Sequence, residues 1–181
     1  MIRAFLVVFC LLLSAVCDAQ SGTGRALRFD VSKIGSVFDG HQICEDKGRL
    51  QDYPSKVMDQ IIEAGPKSVP ALIGMLTDEE AAKTEEPIIC FWGQMTIGDI
   101  AFCTLEDLFL NSDWTKTTLP GAGWDDMLGS AGDLPSWEQL HRFTRKYGRK
   151  ALQAKWQRLW DQYGSEVVWD PRERCFKLKG Q

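Results

Sequence analysis

The chain has 181 residues, which sets one domain as the default. Hydrophobic residues make up 44% and charged residues 25%, an ordinary balance that excludes a disordered, collagen-like or multi-span membrane protein. A formal net charge of −4 speaks against nucleic acid as a partner, and only two histidines are present, which excludes a three-histidine metal centre.

Met1-Ile2-Arg3 is a short cationic start, and Ala4 to Val16 is an uncharged apolar run. As a helix that run is too short to cross about 30 Å of hydrocarbon. Cys17-Asp18-Ala19 then places small residues at −3 and −1 before Gln20. The pattern predicts a secretory signal peptide over residues 1–19, cleaved after Ala19. Lipidation of Cys17 is the rival reading, opposed by the bulk of Val16 before it. The expected product is an exported protein, periplasmic or secreted, with no transmembrane segment in the mature chain. Residues 20–40, rich in glycine, are expected to form a flexible arm, and residues 41–181 a single helical domain.

Cleavage leaves Cys44, Cys90, Cys103 and Cys175. Disulfides persist in the oxidising compartments that exported proteins reach. Three complete pairings exist for four cysteines. Cys103 lies in an apolar helical run and reads as a core residue, while Cys44 and Cys90 both fall in predicted loops, so Cys44–Cys90 is the favoured pair. No CxxC or CxxH spacing suggests zinc. No P-loop, GxGxxG, HExxH or EF-hand spacing is found, so no metal and no cofactor is expected.

The mature chain reads as helices. After Asp52-Tyr53-Pro54-Ser55, the residues Val57, Met58, Ile61 and Ile62 recur on one helical face. Gly65-Pro66 is expected to stop that helix. A second helix is predicted over about Lys67–Leu76, with Val69, Leu72, Ile73 and Leu76 apolar. Asp99–Leu110 follows as the most apolar helix, with Thr96 as its candidate N-cap and Ile97, Ile100, Ala101, Leu105 and Leu108 in one stripe. Asn111 to Gly132 reads as a long loop with a short helical turn at Asp125–Leu128. A helix from Pro135-Ser136-Trp137 through Tyr147 ends at Gly148, and another runs from Arg149 to Tyr163. Glu166–Trp169 and Cys175–Lys179, joined through Asp170-Pro171, predict a C-terminal β-hairpin within residues 166–179. The expected fold class is all-α with a small C-terminal β-hairpin.

Within residues 53–110, the run Gly65-x-x-x-Val69-Pro70-x-Leu72-x-x-x-Leu76, preceded by the amphipathic Val57–Ala64 helix, resembles one HEAT-type helical hairpin. Ile97-x-x-Ile100-Ala101-x-x-x-Leu105-x-x-Leu108 resembles the first helix of a following unit. The resemblance implies HEAT-like helical hairpins and a binding scaffold.

Charge is uneven along the chain. From Trp137 to Tyr163 there are seven basic and two acidic residues, and from His41 to Glu86 five basic and ten acidic. Arg142, Lys146 and Lys150 recur at i+4 steps, with Arg145 and Arg149 as a second row beside them. This basic ridge predicts an anionic partner, an acidic protein or an anionic envelope component. Trp114 and Trp124 in the long loop are the aromatic candidates for a ligand. The expected function is an exported helical interaction module. The alternative is a small extracytoplasmic hydrolase acting on a polymer, with Asp125 and Asp126 or the Glu79–Glu86 acids as its carboxylate pair.

Overall fold

A computed structural model describes residues 27–31, 56–82, 95–111, 116–130 and 136–181. The expected signal peptide, Cys44, Cys90 and Trp114 lie outside the described residues. The described chain is mostly helical and closes with a two-stranded antiparallel sheet, as the periodicities predict. Among the described residues no helix is long and apolar enough to cross a membrane.

The helix α1 spans Lys56–Ala64 and buries Val57, Met58 and Ile61. The Gly65-Pro66 step does not open a gap; Gly65–Ser68 continues as a 3-10 turn and leads into α2, Val69–Met75. Pro66 and Pro70 each fall in a first turn, where a missing N–H leaves no bond unmade. Helix α2 packs chiefly on α3, Ile97–Leu108, and then on α6, Arg149–Tyr163.

Helix α3 starts two residues before the predicted Asp99, because Thr96 and Asp99 form a complete capping box. The Asp99 N–H donates to Thr96 Oγ1 at 3.2 Å, and the Thr96 N–H donates to Asp99 Oδ2 at 2.9 Å. Two orphan donors of the first turn are thereby satisfied. From Gly98 to Leu108 every residue of α3 is buried, so this helix is enclosed on all sides. Gly98 sits where α3 meets the chain leaving α2. A Cβ there would lie 2.8 Å from the carbonyl oxygens of Leu76 and Asp78 and 2.9 Å from Arg149 Nη1, so no side chain fits without displacing backbone.

The described part of the predicted loop after α3 carries two regular features. Leu110 and Thr117 form an isolated bridge, and Trp124–Leu128 is the five-residue helix α4. Helix α5, Ser136–Tyr147, and helix α6 are separated by Gly148 alone, whose φ of 80° ends one helix and redirects the next. Strands β1, Val167–Asp170, and β2, Cys175–Leu178, pair with Val167 opposite Leu178 and Asp170 opposite Cys175. A hairpin of this size is marginal alone. It docks through Phe176, which is fully buried and stacks near Phe109 and Trp169, and whose carbonyl accepts from Thr118 Oγ1.

One stretch of the expected flexible arm is packed. Phe29 and Val31 belong to the core, with Leu27, Arg28 and Asp30 exposed between and before them. The alternation Leu27-Arg28-Phe29-Asp30-Val31 carries this, and the glycine content around it masks the pattern.

Candidate functional site

Helix α5 turns Leu140 and Phe143 into the core and leaves Arg142, Arg145, Lys146 and Tyr147 exposed. Gln139, Arg142, Phe143, Lys146 and Tyr147 follow the i, i+3, i+4, i+7, i+8 spacing of one helical face. That face forms one wall of a groove of about 180 Å³, and Leu128, Gly129 and Ser130 at the end of α4 form the other. Among the described residues the lining contains no acidic residue.

The groove has an aromatic floor. The Phe143 and Tyr147 rings lie 4.9 Å apart at 48°. Tyr147 is 55% exposed, which is unusual for a large ring and gives it a polar edge open to solvent. The Lys146 ammonium stands 4.8 Å from the Tyr147 centroid, and the Lys155 ammonium 5.3 Å from that of Phe143. Lys155 also donates to the carbonyls of Asp126 and Met127, at 3.1 and 2.6 Å, and so ties α6 to the end of α4. The hydrogen bond from Lys146 first, then the charges of Lys146, Lys155 and Arg142, hold the Tyr147 phenol below its ordinary value of 10.0.

The predicted ridge divides in two. Arg142, Arg145, Lys146 and Lys150 are exposed, and none is ion-paired among the described residues. Arg145 Nε only donates to the His141 carbonyl of its own helix, at 3.2 Å. Arg149 is different. Its side chain is 11% exposed, its Nη2 donates to Asp99 Oδ1 at 2.8 Å, and its Nε lies 4.0 Å from Glu79. Arg149 is thus a structural tie between α6 and the first turn of α3, not a member of the exposed row. Gly148 resets the helical phase, so spacing counted from Arg145 to Arg149 crosses a break.

Trp124 faces inward as well. Its ring meets Phe102 edge-on at 4.8 Å and 82°, pinning α4 to α3. Asp125 and Asp126 stand in solvent in the first turn of α4 and do not line the groove. Glu79 and Glu80 are exposed beyond α2. Among the described residues no group of three His, Cys, Asp or Glu side chains is placed to hold a metal ion.

Helix α3 carries a polar set that spacing alone does not single out. Glu106 is 1% exposed, and among the described residues neither carboxyl oxygen has a hydrogen-bond partner. Burial, with the neighbouring Asp107 charge adding to it, pushes its acid well above the ordinary 4.5. One turn earlier, Cys103 is fully buried, and desolvation followed by the charges of Asp99, Glu106 and Asp107 pushes its thiol well up. Desolvation likewise raises Cys175 to about 11. Both cysteines are free thiols at neutral pH and poor nucleophiles.

Sequence reasoning found the cations but missed the groove. Its aromatic members were readable only as core, and its second wall lies nine or more positions away in sequence, across the α4–α5 connection. Comparison with protein-family models, curated proteins and solved structures finds no match.

Proposed function

We propose that this chain is an exported helical binding module, built on HEAT-like hairpins, whose α5 face docks an anionic partner, an acidic protein or an anionic envelope component. The observation that carries this reading is the fate of the basic ridge. The chain has an excess of acidic residues, yet of the five ridge cations only Arg149 turns to them; Arg142, Arg145, Lys146 and Lys150 stay exposed and without an ion pair among the described residues. Lys150 also sits in the first turn of α6, where the helix dipole disfavours a cation by about 0.3–1 kcal/mol. A charge kept at an unfavourable position supports a role in recognition. Export follows from the expected signal peptide.

The test is binding of polyglutamate to the mature chain. Binding is expected at low salt and should fade as the Debye length falls from about 10 Å at 0.1 M to about 3 Å at 1 M. An Arg145→Glu, Lys150→Glu double variant changes only exposed side chains outside the groove lining. It should weaken binding at least about tenfold, the equivalent of 1.4 kcal/mol. Unchanged binding in that variant would remove the ridge as the docking surface.

A further inference from the structure

The groove beside the ridge makes a narrower demand than the ridge does. Its lining includes Arg142, Lys146, Tyr147 and Ser130, with no carboxylate among the described lining residues. Lys155, outside the lining, stands 5.3 Å from the centroid of Phe143, which does line it. A carboxylate brings one negative charge and two acceptor oxygens. A phosphomonoester brings about −1.5 to −2 at neutral pH and three strong acceptor oxygens. Two lining cations and two hydroxyl donors match the second better.

The remaining space has a chemistry too. At about 30 Å³ of liquid volume per water, the groove holds roughly six waters, room for a phosphoryl group and one small organic unit. Phe143 and Tyr147 line that space with ring surface, which suits the carbon face of a sugar or glycerol unit.

We propose that the groove between α5 and the end of α4 is a binding site for a phosphomonoester carried on a small polar unit, with Arg142 and Lys146 on the phosphoryl oxygens and Tyr147 donating to one of them. This rests on the anionic-partner reading of the same face and names the group that face selects. Such a group can come from a soluble sugar phosphate or from a phosphomonoester headgroup on a lipid surface, and both use the same contacts.

The probes are a hexose 6-phosphate, the parent hexose, sulfate, and phosphatidylcholine vesicles with and without phosphatidic acid, all added to the mature chain. Amide and ring resonances of Arg142, Lys146 and Tyr147 report on the groove. The hexose phosphate is expected to shift them, and the parent hexose to bind at least about tenfold more weakly. Lys146→Ala should weaken the phosphate at least about tenfold, and Tyr147→Phe several-fold. Affinity for the hexose phosphate should rise as the second phosphate proton leaves near a pKa of about 6, whereas affinity for sulfate, already a dianion, should not rise. The sulfate control removes any contribution from protein groups that titrate in that range. Binding of the hexose phosphate identifies a soluble source; binding only of the phosphatidic acid vesicles identifies a surface source. Resonance shifts confined to other regions, or an affinity indifferent to Lys146→Ala, would overturn the proposal. If polyglutamate binds through Arg145 and Lys150 while neither phosphate probe touches Tyr147, the groove inference fails and the ridge reading stands. If polyglutamate also fails to bind, both fall.

Discussion

Replacing Arg149 by methionine is expected to cost about 3–5 kcal/mol of folding stability at neutral pH, the loss typical of a buried pair deprived of one partner. The reason lies in Asp99. Its side chain is 2% exposed and accepts from the Thr96 N–H and Thr96 hydroxyl through one oxygen and from Arg149 Nη2 through the other. Methionine fills much of the arginine stem volume but leaves an ionised carboxylate buried without its counter-charge. The capping box of α3 would then hold a charge with no cation beside it. Urea denaturation checks the magnitude. Adding Asp99→Asn to Arg149→Met should recover much of the loss, because asparagine can still cap α3 and carries no charge. A cost below about 1 kcal/mol for Arg149→Met is the value of an exposed pair and would show that solvent reaches this one.

Glu106→Met is expected to act in the opposite sense, stabilising the protein by about 1–3 kcal/mol near neutral pH. The native side chain is buried with both oxygens unpartnered, and that is the range for burying a polar group without its hydrogen bonds. Methionine is similar in volume and presents nothing that needs a partner. A pH signature accompanies the change. The Glu106 acid is raised in the folded state, so above its ordinary 4.5 the folded chain holds a proton that the unfolded chain has released. Stability is therefore full below that value and declines as pH rises toward the folded pKa. Asp170 titrates the other way. Lys177 and the Arg172 N–H hold it below 3.8, so its contribution is present above that value and lost in acid. The two effects occupy different pH windows. Thermal unfolding of the native chain should show a midpoint that falls as pH rises above the ordinary carboxyl value of 4.5. Glu106→Met should flatten that fall and leave the acid limb unchanged. An equal slope in both proteins would mean that the charge of Glu106 is satisfied in the folded state.

Much of the fold was legible because local rules and tertiary packing agree. Thr96-x-x-Asp99 announced the start of α3, Gly148 the division of α5 from α6, and Asp170-Pro171 the hairpin turn, and each of these features stands within two residues of its expected place. The failures share a cause: a periodicity reports one helix, whereas a site joins several. Arg149 matched the i+4 step from Arg145, but Gly148 changes the chain direction between them and delivers the side chain to Asp99. Glu106-Asp107 sits inside the apolar run, and the periodicity does not single it out. It is buried because the enclosing elements come from both flanks of the sequence, and a single helical wheel does not show them. Trp124 was noticed for its size, yet its ring meets Phe102, twenty-two positions earlier. The groove was hardest to see, since Leu128–Ser130 and the α5 face lie on separate elements.

The crowding at Gly98 has a consequence for how this chain can change over time. Hydrogen is the smallest substituent a residue can carry and methyl the next, and here methyl already meets two carbonyl oxygens and a guanidinium nitrogen within 3 Å. No graded series of replacements exists at this position; the first step is as forbidden as the last. The junction of α2, α3 and α6 can drift in its surrounding side chains, but descendants of this chain that keep the junction must keep a bare backbone at position 98. A lineage that loses it has to rebuild the whole meeting point of the three helices.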